Sequence, residues 1–296
     1  MACRSRRRWI GYAASYPHAT ESRFRRWAPA YLHLPGLLFG LGLSDHPDQV
    51  TLTVALQNGA RQVHRFEHVT DAEYEALEMV SIEFPSTRRT REPEARYRFE
   101  PIENSDAVYF SFRRVASADD GESIWTFGRR LATHLREART RRLIIDLRDN
   151  GGGGYQFSAH LRPLLRQVPS LDHPGGIVVL TGPKTYSAAS DFLAQLELFT
   201  DATLIGLPPA GRNGEPGDDD DFVLPKSGIT VRISQVAAHA ASEVDARSVI
   251  GVDQLVPDNF ADRLAGRDPA LDAAIEFEPP LATDIPAPSS WLGRYA

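Results

Sequence analysis

The sequence has one cysteine, Cys3, so no disulfide can form within the chain, and no Cys/His cluster carries zinc-site spacing. No run of 18 apolar residues is present, which excludes a membrane-spanning helix. The opening MACRSRRRW is basic, but the apolar stretch of a secretory signal does not follow it; the sequence alone reads as cytoplasmic and leaves localisation open. Positive charge is not in excess: 33 Lys and Arg stand against 39 Asp and Glu, a net charge of -6, which argues against nucleic acid as the main partner. Lysine is scarce. Only Lys184 and Lys226 occur, so a mechanism that needs a catalytic lysine has two candidates. What is present suffices for a globular fold: 296 residues, 42% of them hydrophobic, can bury a core without staples.

Residues 1–43 form a basic N-terminal segment, ending in the Gly-punctuated apolar stretch YLHLPGLLFGLGL. Apolar residues alternate through Val50, Leu52 and Val54, then Val63 and Phe66, and Asn58-Gly59 lies between the two runs, which predicts a β-hairpin over 50–69. Residues 70–104 are charged and Pro-containing, and read as a linker with a short helix near Asp71–Met79. From 105 onward, short apolar runs at 107–115, 141–150, 175–182 and 203–206 alternate with helical patterns near 122–140, 155–167 and 187–199. That alternation predicts an α/β fold with a mostly parallel sheet. GEPGDDDDF reads as an acidic loop, 229–236 as a strand, and the tail as irregular. The run Asp218–Asp221 fits a solvated loop better than a calcium site, because consecutive aspartates cannot all face one ion. Neither a metal nor a cofactor is implied.

Two loops follow predicted parallel strands, where ligands gather in open α/β sheets. The first, Asp146-Leu147-Arg148-Asp149-Asn150 and then Gly151 to Gly154, offers bare backbone donors suited to an oxyanion hole. It lacks both the dinucleotide spacing and the phosphate-loop Lys-Ser/Thr pair, and a plain tight turn is the other reading. The second runs from Thr181 to Ser190 and places Ser187 at a strand-to-helix junction, where the positive helix end favours an oxyanion. There Ser187 is either a nucleophile, with the Ala188 N–H beside it, or a helix cap.

The segments LIIDLRDNGGG, VVLTGPKTYSAASDF, TLIG, FVLPKSGITVRIS, Val256-Pro257-Asp258 and Gly266-Arg267-Asp268-Pro269-Ala270-Leu271 resemble, in this order, the core of the C-terminal processing peptidases, or tail-specific proteases. The tricorn core protease and interphotoreceptor retinoid-binding protein share that module. The resemblance covers about 105–275. It implies a crotonase-like α/β core over 105–296, preceded over 44–104 by a partial PDZ-like module of which the hairpin is a remnant, as if the chain began late. The nucleophile of the family falls on Ser187, with oxyanion donors at Gly152 or Gly153 and at Ala188. The usual base, a lysine in Gly-Lys-Gly 25 residues after the serine, falls on Arg212, and an arginine stays protonated. The carboxylate three residues after the serine is replaced by Ser190, with Asp191 adjacent, and Ser111 stands where the tricorn-like branch has a histidine. Lys184, Lys226, His134, His160 and His239 are the remaining candidates for a base.

The resemblance therefore implies a serine-type peptidase acting on peptides or proteins, in which replacement of the usual base is expected to weaken activity and Arg212 to bind a substrate carboxylate. The alternative is a degenerate member that binds peptide ends or a small ligand. The sequence leaves the oligomeric state open.

Overall fold

In the computed structural model, residues 21–56, 58–76, 78, 82–154, 160–212, 216–236, 247 and 249–279 are described. The chain divides into two units, Met1–Glu83 and Phe84–Ala296.

The first described elements of the first unit are α1 (Glu21–Tyr31), a helix with no buried residue, and α2 (Pro35–Gly40), which buries Pro35 and Leu38. The predicted hairpin follows as β1 (Gln49–Ala55) and β2 (Arg61–Glu67), paired antiparallel from Gln49↔Glu67 to Ala55↔Arg61. Its turn differs from a two-residue one. Among the described turn residues only Gly59 has positive φ, Asn58 accepts the Ala60 N–H through its side chain, and Leu56 N–H reaches Ala60 O, which is a longer connection than a two-residue turn. The helix expected near 71–79 is the single turn α3 (Asp71–Glu75).

In the second unit the strands are β3 (Tyr97–Pro101), β4 (Ala107–Phe112), β5 (Arg142–Asp146), β6 (Ile177–Thr181) and β7 (Thr203–Gly206), with helices α4 (Ile124–Glu137), α5 (Leu161–Leu165) and α6 (Ala188–Phe199) between the last four. Then come β8 (Gly217–Val223), β9 (Thr230–Val236), β10 (Gln254–Leu255), α7 (Phe260–Leu264) and α8 (Pro269–Ile275). Six strands form one sheet in the order β10-β7-β6-β5-β4-β3, parallel except for the antiparallel edge strand β3. Thus the mostly parallel α/β sheet expected from the sequence is present.

Burial on both faces explains why β4, β5 and β6 read as unbroken apolar runs rather than alternating ones. Leu143 and Ile145 of β5 face the larger core with Phe127 and Leu131 of α4, Leu164 of α5 and Phe192 of α6, while Ile144 faces a smaller core with Ala270 and Leu271 of α8. Ser123 caps α4 by accepting the Thr126 N–H, and Phe127, Leu131 and Leu135 form its buried stripe.

Three expectations change. The stretch read as linker contains β3, whose Tyr97 and Phe99 pack toward Phe127 while Arg98 and Glu100 make ion pairs on the opposite face. The acidic segment is not a loop. It is β8, paired with β9 in a separate ribbon where Arg232 binds Asp221 and Ser234 binds Asp219. The tail holds α8, started by Asp268, which accepts the Leu271 N–H, with Pro269 in the first helical position.

A buried charge cluster fastens this last helix to the sheet. Arg148 binds both oxygens of Asp146 and both of Asp268 at 2.6–3.0 Å, and the Tyr109 hydroxyl donates to Asp146 at 2.7 Å. Burial works to raise the Asp146 carboxyl, but the Arg148 charge and the hydrogen bonds from Arg148 and Tyr109 outweigh it and hold the group below its ordinary value. Among the described residues no helix is long and apolar enough to cross a membrane.

Candidate active site

Adjacent parallel strands β5 and β6 end at the same side of the sheet, so the loops after them meet. The glycine turn follows β5, and Ser187 ends the loop after β6. Gly152 lies directly against the serine: a Cβ on Gly152 would stand 2.6 Å from Ser187 Cβ, 2.8 Å from Tyr186 O and 3.1 Å from Ala188 N. Gly152 takes φ +99°, a conformation only glycine adopts without strain.

Ser187 itself has φ 55° and ψ −132°, a backbone state that is unfavourable for a residue with a Cβ by about 1–3 kcal/mol. It occupies the N-cap position of α6 but makes no capping hydrogen bond, so the cap reading fails on geometry. Ser187 is half-buried, and its hydroxyl has no hydrogen-bond partner among the described residues. Ser187 thus stands strained at a sharp turn between a buried parallel strand and a helix.

The neighbouring amides fall into two groups. The Gly152 N–H is taken by Asn150 Oδ1 at 2.9 Å, so Gly152 is removed from the expected oxyanion donors. The N–H groups of Gly153 and Ala188 have no hydrogen-bond partner among the described residues. Ala188 is the first residue of α6, where the helix leaves its N–H groups unsatisfied and its dipole favours negative charge.

The frame around these groups is polar and buried. Thr185 donates from its hydroxyl to Leu147 O at 2.8 Å and accepts the Gly182 N–H at 3.1 Å, while its carbonyl takes the N–H groups of Ala210 and Gly211. Tyr186 N–H binds Asn150 O at 3.1 Å. Gly211 presses on Ser190 and Tyr186: a Cβ there would come within 2.1 Å of Ser190 Oγ. Arg212 follows directly and is half-buried, so its backbone stands close to the N-terminal turn of α6. The Ser190 hydroxyl is buried and has no hydrogen-bond partner among the described residues, and the buried Asp191 carboxylate accepts from Gln195.

A charged rim lies outside the turn. Asp149 is bound by Arg89 at 2.8 Å and by Lys184 at 3.2 Å, with Arg113 at 4.0 Å, and Arg89 also holds Asp258. Burial opposes ionisation of Asp149, yet the Arg89 hydrogen bond and the charges of Arg89, Lys184 and Arg113 hold its carboxyl well below the usual range.

Among the described residues, none of the other base candidates is hydrogen-bonded to Ser187. Lys184 is engaged by Asp149, Lys226 sits exposed at the tip of the β8–β9 ribbon, and Ser111 is buried in β4 opposite Asp146. His134 packs on Phe99 and His160 on Trp125, and His239 lies outside the described residues. Sequence reasoning overlooked Asn150, Thr185 and Arg89. The only sequence signal for the first two was a polar residue inside a loop that closes a buried strand.

Fold and site together are a mostly parallel α/β sheet with a glycine turn and a strained serine meeting at the ends of two adjacent strands. Several of the solved structures similar to the chain carry peptidase or protease names, and another is a lipoprotein from Streptococcus agalactiae. A candidate peptidase from Parabacteroides merdae is 20% identical over 65% of this chain and 65% of its own, with a TM-score of 0.45. A candidate S41 protease from Bacteroides fragilis is 15% identical over 82% of this chain and 64% of its own, at 0.40. Mature CPAF complexed with lactacystin is 13% identical over 80% and 68%, at 0.47. The chain thus spans about two thirds of these structures. No protein-family model and no curated protein matches it.

Proposed function

We propose that this chain is a serine-type hydrolase of peptide bonds, of the tail-specific protease kind, with a crotonase-like core and a hairpin left from a PDZ-like module. The observation that carries this reading is Ser187, strained at φ 55°, held against Gly152 beside the unengaged N–H groups of Gly153 and Ala188. In this scheme the Ser187 oxygen attacks the peptide carbonyl carbon and its proton passes to a base. The carbonyl oxygen becomes an oxyanion between the two amides, the C–N bond breaks as the amine takes a proton, and water then hydrolyses the ester. Arg212 binds a carboxylate of the peptide.

A second reading is favoured by one observation: the Ser187 hydroxyl meets no base among the described residues. On that reading the same amides and Arg212 hold a peptide carboxylate without cleaving it. Because a general base is worth about 10²–10⁴ in rate, the hydrolase reading expects weak turnover.

The two readings separate by fluorophosphonate labelling and peptide cleavage of wild type, Ser187→Ala and Arg212→Lys. The hydrolase reading expects labelling that Ser187→Ala abolishes, and cleavage that Arg212→Lys increases, since a desolvated lysine can give up its proton. Absence of labelling in the folded wild type refutes it, and cleavage that survives Ser187→Ala places the site elsewhere.

A further inference from the structure

We propose that Asn150 is the positioning residue of this site: it touches none of the reacting atoms but sets the geometry of the oxyanion amides against Ser187. The proposal rests on the hydrolase reading above and deepens it. Asn150 is 0% exposed and uses all of its principal polar groups. Its backbone N–H donates to Leu147 O at 3.0 Å, and its carbonyl accepts from Tyr186 N–H, the residue before the serine. Its side-chain Nδ2 donates to Phe112 O at 2.9 Å, at the end of β4, and its Oδ1 accepts from Gly152 N–H. One side chain and its own peptide groups therefore tie three separate segments together: the end of β4, the glycine turn and the approach to Ser187.

The chemistry of these partners fixes the amide orientation, because a carbonyl can only accept and a backbone N–H can only donate. It also selects asparagine. Aspartate would keep an acceptor for Gly152 but would aim a second oxygen at Phe112 O, and serine is too short to reach both. By engaging the Gly152 N–H, Asn150 makes Gly153, one residue on, the amide left for substrate. That residue is in turn held by Val115, which donates to Gly152 O and accepts from Gly154 N–H. Loss of the Asn150 side chain frees the Gly152 N–H and lets the turn move relative to Ala188. A displacement on the scale of 1 Å at such a site lowers reaction rates by about 100-fold.

The test is the rate of fluorophosphonate labelling against probe concentration, which separates probe binding from bond formation, for wild type, Asn150→Asp, Asn150→Ser and Tyr109→Phe. Each is read well below its own unfolding temperature. Tyr109→Phe is the control, because it removes one buried hydrogen bond on the opposite face of the sheet. The expected result is a maximal labelling rate lowered about 10- to 100-fold in both Asn150 variants, with probe binding changed less than about threefold, and a wild-type rate in Tyr109→Phe. Asn150 variants that label at the wild-type rate overturn the proposal. So does a loss that only follows the unfolded fraction, or failure of both Asn150 variants to fold, since the role is then structural. A folded wild type that does not label refutes the hydrolase reading itself, whereas a labelled wild type with undiminished variants overturns the positioning role alone.

Discussion

Alanine at Gly152 tests the packing of the glycine turn on Ser187 more directly than any other single change. Two penalties add at this position. A φ of +99° is unfavourable for a residue with a Cβ, and the new methyl would stand 2.6 Å from Ser187 Cβ and 2.8 Å from Tyr186 O. The first is worth about 1–2 kcal/mol and the second about 1–3 kcal/mol, because neither the Tyr186 carbonyl nor the start of α6 can swing away cheaply. A total of about 2–5 kcal/mol lowers the unfolding temperature of a unit this size by about 4–20 °C. Gly151 supplies the comparison, since a Cβ there meets nothing within 4 Å and its φ is ordinary. Gly151→Ala is therefore expected to stay within about 0.5 kcal/mol of wild type. Calorimetry or a denaturant series on the two variants measures the difference, and labelling of Ser187 reports whether the serine has moved. Equal stability of Gly151→Ala and Gly152→Ala would refute the contact on which the site reading depends.

Two further outcomes follow from the same contacts. The Asp146 and Asp149 carboxyls are both held below the ordinary aspartate range in the folded state, so their contribution is complete above about pH 4–5 and is lost as pH falls through their folded values. Arg89→Ala should weaken stability at pH 7 by about 1.5–3 kcal/mol and flatten the acid limb, and an acid limb as steep as wild type in a stability–pH series would contradict the Asp149 assignment. Ser123→Ala removes the cap of α4 and should lower stability by about 1 kcal/mol, read as a fall of about 2–4 °C in unfolding temperature, and an unchanged midpoint would show that the Thr126 N–H finds another acceptor.

The buried strands were legible because their environment leaves one kind of residue at every position: LIID and IVVLT are apolar throughout, with flanking glycines and charges marking their ends. The meeting of Ser187 with the glycine turn was legible too, since neighbouring parallel strands bring their following loops together. What escaped detection shares a physical cause, namely partners distant in sequence. Tyr97 and Phe99 alternate as strand residues should, but Arg96, Arg98 and Glu100 between and beside them are tolerable only at an edge where ion pairs wait. Four aspartates resist any strand assignment until Arg232 and Ser234 stand opposite. Asp268-Pro269 was a legible helix start, passed over amid the prolines of the tail. For Asn150 the local pattern suggests only a turn; its bond to Phe112 O crosses 38 positions, and no window of sequence contains it.

The Arg148–Asp268 pair joins residues 120 positions apart, and this separation bears on how the molecule comes into being. Long-range pairings close slowly because the chain entropy of the intervening loop is lost before the contact forms. While a nascent chain lacks α8, Arg148 has only Asp146 and one face of the sheet is bare, so the strands that carry the glycine turn and Ser187 are assembled before the helix that seals them. Protection of the β5 and β6 amides from solvent exchange should therefore begin before residues 268–275 dock and reach its full level only afterwards, and the site should be among the last parts of this unit to become rigid.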